Sequence, residues 1–142
     1  MSDFKKTTTS ILLLVFALLF SLSTAAYSGV LDTFEGYDFS TAGKYAIDSF
    51  TLNDDDFYVK IRIDDAFTWE GGGNAGVIVE AHRKNWLGAY VKVSEKSFIR
   101  SPYDTSYEYL SFTDMSSGEY KLYFRSYYAG TVDFSGTVYD NN

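Results

Sequence analysis

Along Phe57-Tyr58-Val59-Lys60-Ile61-Arg62-Ile63-Asp64 apolar and polar side chains alternate without a break. A period of two marks a strand with one face in a core and the other in water. Phe57, Val59, Ile61 and Ile63 are therefore expected inward. AGVIVEAH repeats the pattern with Val77, Val79 and Ala81 inward, and LGAYVKV with Ala89, Val91 and Val93, the two runs reading as a hairpin across RKNW. YEYLSF, YKLYFRS and TVDFSGTVY follow, with Leu110 and Phe112, then Tyr120, Leu122 and Phe124, then Val132, Phe134 and Val138 inward. DTFEGYDF and YAIDSFTL are weaker strand patterns. About eight short strands at this spacing predict an all-β fold: an antiparallel Greek-key sandwich, immunoglobulin-like or jelly-roll. No window after the first 25 residues keeps the i, i+3, i+4, i+7 spacing of an amphipathic helix.

The N-terminus has another period altogether. Lys5 and Lys6 precede an unbroken apolar run from Ile11 to Leu22, and Ser23-Thr24-Ala25-Ala26 supplies small residues after it. This is the layout of a secretory signal peptide, and an apolar core of ~12 residues is short of the ~20 that span a bilayer. Residues 1–25 are accordingly expected to be a helical leader cleaved after Ala25 or Ala26. Residues 26–142 then form one secreted domain, with a retained leader as the only membrane attachment foreseen.

Composition narrows the chemistry. Aromatic residues make up 19% of the 142, including 13 Tyr and 12 Phe, which suits pleated, half-buried surfaces. Cysteine is absent, which removes disulfides, thiolate metal sites and cysteine nucleophiles. The net charge of -7 disfavours nucleic acid as a partner and favours solubility, and it argues against docking on anionic lipid.

Met115-Ser116-Ser117-Gly118-Glu119-Tyr120 has the spacing of a tyrosine corner. There a tyrosine near a strand start folds back to bond a backbone group upstream, an apolar residue (here Met115) plugs the core, and Gly118 permits the turn. Together with LNDDDFYVKIRI, the stretch SSGEYKLYFRSYYAGTVDFSGTVYD resembles the bacterial pre-peptidase C-terminal domain. Asp54, Asp56 and Tyr58 match that family's acidic strand start, and Gly118, Tyr120, Leu122 and Phe124 match its late strand. A similar SSG-x-Y-x-LYF ending occurs in small exported proteins of Gram-positive bacteria. The resemblance implies a small secreted bacterial β-sandwich module.

Candidate functional residues are few. The only histidine, His82, has no nucleophile motif beside it and is expected as an exposed surface residue; one histidine cannot build a histidine-based metal site. Asp54, Asp55 and Asp56 offer oxygen ligands of the kind calcium takes, though turn chemistry explains them equally well and no EF-hand spacing accompanies them. Gly71-Gly72-Gly73 lacks the Lys-Ser/Thr ending of a phosphate loop and reads as a connection. Trp69, Trp86, Tyr90, Tyr103, Tyr127 and Tyr128, with Tyr107 beside them, supply flat apolar faces for sugar rings or a protein partner. The expectation is a secreted, non-enzymatic binding or accessory module, without a cofactor unless calcium binds. A structural or assembly protein of surface or biofilm, or a toxin-like effector, remains the alternative.

Overall fold

A computed structural model describes residues 29–53, 56–68 and 73–141. The leader therefore lies outside the described residues, as do Asp54, Asp55 and Trp69. The described chain is all-β, with nine strands: β1 (Val30–Phe39), β2 (Lys44–Tyr45), β3 (Phe50–Leu52), β4 (Phe57–Thr68), β5 (Ala75–Lys84), β6 (Tyr90–Arg100), β7 (Glu108–Phe112), β8 (Gly118–Ser126) and β9 (Gly130–Asp140).

Two antiparallel sheets face each other, one ordered β1-β9-β4-β7 and the other β2-β8-β5-β6, with β3 also pairing β8. Each connection crosses to the opposite sheet except β2 to β3 and the β5–β6 hairpin. That strand order is the jelly-roll variant of the sandwich. Nine strands stand where about eight were expected, because YAIDSFTL breaks into two short pieces that both lie along β8.

The alternation of β4 translates directly into burial, with Phe57, Val59, Ile61 and Ile63 fully enclosed. Across the core, Val77, Val79 and Ala81 of β5 and Leu122 and Phe124 of β8 are equally enclosed. Phe34, Phe39, Phe124 and Phe134 pack as one aromatic cluster, Phe39 and Phe134 at 4.7 Å and Phe124 and Phe134 at 4.8 Å between ring centres. Such pairs add about 1 kcal/mol each beyond the area they bury.

The hairpin between β5 and β6 forms as expected, but β6 does not turn Val91 and Val93 into the core. Both are about half exposed. β6 is an edge strand, and its facing partner β7 has five residues against eleven, so among the described residues most of β6 has no strand facing it. A bulge between Ala81 and His82 further breaks the alternation there.

Strand directions define two ends. Val30, Phe57, Phe112, Gly118 and the β5–β6 tip gather at the hairpin end, while the β1–β2, β4–β5, β6–β7 and β8–β9 connections gather at the loop end.

Candidate functional site: the outer face of the four-stranded sheet

The register of sheet β1-β9-β4-β7 places Arg62 beside Ser135, Lys60 beside Thr137 and Tyr58 beside Tyr139 on its outer face. Farther along, a bulge between Ile63 and Asp65 inserts one residue into β4. Strict alternation would drive one of the consecutive Asp64 and Asp65 into the core; the bulge keeps both exposed and returns Ala66 to the core side. Phe67 then emerges at 64% exposure.

The β6–β7 connection runs across this face. Arg100 anchors it at both ends, pairing with Asp104 at 3.3 Å and with Glu108. Asp104 accepts the Ser106 hydroxyl and backbone N–H, which, with Arg100, hold its carboxyl below the usual range. Tyr103 of this connection is 93% exposed. Tyr107 lies back on the sheet, with Lys60 Nζ 4.3 Å and the Arg62 guanidinium 5.3 Å from its ring centre.

Three hollows result. The largest, about 610 Å³, is lined by Asp64, Asp65, Phe67, Pro102, Tyr103 and Thr105 among others. A second of about 160 Å³ shares Asp65, Ala66 and Phe67 with it and adds Asp38, Thr131 and Asp133. The third, about 420 Å³, has Phe34 and Gly136 in its floor, with Thr33, Glu35, Ser135, Thr137 and Tyr107 around them. Arg62 links the first to the third. Its Nε donates to Asp64 Oδ1 at 2.8 Å and to Ser135 Oγ at 3.4 Å while the guanidinium lies against Tyr107.

Gly130 fixes the loop end of this face. It has φ +118°, and a Cβ there would lie 2.0 Å from the Phe67 carbonyl oxygen. Only glycine lets the start of β9 pass this close to the strand that carries Phe67.

The candidate aromatics divide between the two ends. Tyr103 lines the largest hollow. Tyr127 and Tyr128 also sit at the loop end, packed edge to face at 5.0 Å. Trp86 stands at the hairpin tip instead. Tyr90 is nearby but engaged: its hydroxyl donates to Glu119 Oε1, and Lys84 donates to Oε2 at 2.9 Å. These two bonds, with a further one from Ser49, pull the Glu119 carboxyl down to about 2. Arg62 stands on the outward side of β4, as the alternation has it, whereas Phe67 is a member of the face that the alternation did not single out. The doubled aspartate at 64–65 is the sequence signal of the bulge that exposes Phe67.

His82 corrects its expectation. It does point outward, but its side chain is only 13% exposed. Tyr45 packs against its ring edge to face at 5.4 Å, and Tyr123 stacks on it. Tyr45 O–H donates to Nδ1 at 2.9 Å, and Nε2–H donates to Glu80 Oε2 at 2.9 Å. Burial would raise the Glu80 carboxyl, but hydrogen bonds from His82 and Arg125 and the charge of Lys92 outweigh it and hold the carboxyl low. Burial and Tyr123 push the Tyr45 hydroxyl up, keeping it a proton donor. The network fastens the two-residue β2 to its sheet.

At the predicted corner, Tyr120 is buried, Met115 is buried beneath it, and the Tyr120 hydroxyl donates to Ser116 O at 2.5 Å. Gly118 has φ +151°, and Arg83, whose Nη2 donates to Ser117 O at 2.7 Å, passes 2.9 Å from where a Cβ would stand. Of the proposed calcium ligands only Asp56 is described; its Oδ1 accepts the Asp114 N–H at 2.9 Å, joining two loops. Among the described residues no group of three or more His, Asp or Glu side chains converges as a metal site. Nor is any described helix long and apolar enough to cross a membrane. A scan against protein-family models finds no match for this chain, and a search of curated proteins finds none either.

Proposed function

We propose that this protein is a secreted, non-enzymatic module that binds a polyhydroxylated extracellular polymer along the outer face of its four-stranded sheet. The observation that carries this reading is the row of hollows joined through Arg62 and Asp65. They put exposed Phe67 and Tyr103 and the ring of Tyr107 beside Thr33, Ser135 and Thr137 hydroxyls and aspartate carboxylates. Sugar rings need both kinds of contact: an apolar C–H face for an aromatic ring and equatorial hydroxyls for carboxylates and alcohols. A row of such places suits a chain of sugars better than a single one.

The test is binding of the secreted protein to a panel of cell-wall and matrix polysaccharides. Tyr103→Ala and Phe67→Ala are each expected to weaken binding about tenfold, the scale of one lost ring contact. Trp86→Ala, at the other end, is expected to leave it unchanged. Equal binding by wild type, Tyr103→Ala and Phe67→Ala would remove the assignment.

A further inference from the structure

Across the middle of the outer face the register aligns Thr33, Thr137, Lys60 and Tyr109 in one row, a residue from each of the four strands. The row on one side sets Glu35, Ser135 and Arg62 next to each other. The row on the other side sets Tyr139, Tyr58 and Ser111. Neighbours within a row stand about 5 Å apart and point the same way. Lys60 and Arg62, two residues apart on β4, are thus about 7 Å from each other among hydroxyls and rings.

Neither cation is neutralised there. Lys60 makes no ion pair among the described residues; its Nζ rests over Tyr107 at 4.3 Å and Tyr109 at 5.9 Å. Ring faces hold an ammonium in place while leaving its charge to act on an outside anion. Arg62 commits only Nε, to Asp64 and Ser135, and its two Nη nitrogens meet no acceptor among the described residues. Glu35 is the one carboxylate of the three rows. It takes the Tyr37 hydroxyl at 2.9 Å and stands two strands from Arg62, about 10 Å away.

The acids of the face gather farther along. Asp38, Asp64, Asp65 and Asp133 line the hollows at the loop end. From Lys60 to Asp65 β4 runs about 15 Å. A polymer with a carboxylate on every sugar would be repelled by these aspartates. One with neutral sugars between its carboxylates can set an acid at Lys60 and a neutral ring beside Tyr103.

We infer that the bound polymer is an acidic polysaccharide with spaced uronates, one carboxylate being held by Lys60 Nζ and the Arg62 Nη pair beside the Ser135 and Thr137 hydroxyls. The guanidinium fork matches the two oxygens of a carboxylate. This inference rests on the proposed polymer-binding face and adds which sugar that face selects. The net charge of -7 opposes it only at long range, where salt screens beyond about 8 Å.

The test measures binding of the secreted protein to hyaluronan and to gellan, whose uronates are separated by neutral sugars, each beside its carboxyl methyl ester. Wild type is expected to hold at least one acid form about tenfold more tightly than its ester, the scale of one charge-assisted contact. Lys60→Gln should remove that difference and leave ester binding where it was, which also shows the variant folded. Lys60→Arg should keep the difference. Equal binding of acid and ester by wild type would overturn the inference while leaving the binding face standing, and so would a preference for acid that survives Lys60→Gln combined with Arg62→Gln. Failure to bind any of the four polymers would overturn it as well, while neutral polysaccharides, with Tyr103→Ala, still test the face itself.

Discussion

Single side chains carry measurable weight in this fold. Tyr120 is buried and hangs its hydroxyl on Ser116 O at the corner. Tyr120→Phe is expected to cost about 1 kcal/mol in denaturant unfolding, the scale of one hydrogen bond, with the proposed polysaccharide binding left intact. Glu119 offers a pH handle at the same end. Its carboxyl stands at about 2, first through the Tyr90 hydroxyl and then Lys84, whereas the unfolded chain restores an ordinary value near 4.3. A depressed acid stabilises the fold above its unfolded value and loses that contribution as pH falls toward the folded one. Wild type should therefore lose more stability than Glu119→Gln between pH ~4.5 and ~2; parallel unfolding curves across that window would contradict it. The corner was legible in the sequence because its spacing is local. The surroundings of His82 were not, since Tyr45 and Tyr123 reach it from strands far away in the chain.

Elements differ in how much of their environment the sequence discloses. In β4 the alternation matches burial because the opposite sheet covers one side of the pleat and the other side faces outward, as the pattern assumes. In β6 the same alternation leaves Val91 and Val93 half exposed, because coverage depends on the length of β7, which no residue in β6 encodes. An uncovered edge of eleven residues invites pairing with another chain, and Lys92, Glu95 and Lys96 keep it charged. Replacing Lys92 and Lys96 together by valine is expected to drive self-association in sedimentation; a monomeric double variant would show that charge is not what protects this edge. At the other end, Gly130→Ala should push the start of β9 off Phe67. Both thermal stability and polysaccharide binding should fall, where a change in stability alone would detach Gly130 from the proposed face.

At the scale of the molecule, the class of fold was readable from periodicity, while the choice between sandwich topologies was not. Only the pairing of β1 with β9 and of β8 with β5 reveals the jelly-roll order. The proposed face was likewise hidden. It is assembled from β1, β4, β9 and the β6–β7 connection, which come together only once the sheet has formed. The place of β9 has a consequence for how the protein is made. It lies between β1 and β4, yet it follows all the other strands in the chain. A ribosome delivering the chain from its N-terminus releases β1 with no strand to pair and β4 with only the short β7 beside it until the last strand arrives. A chain stopped after Tyr128 should accordingly show no cooperative unfolding. The protein stays threadable for as long as it is still being threaded.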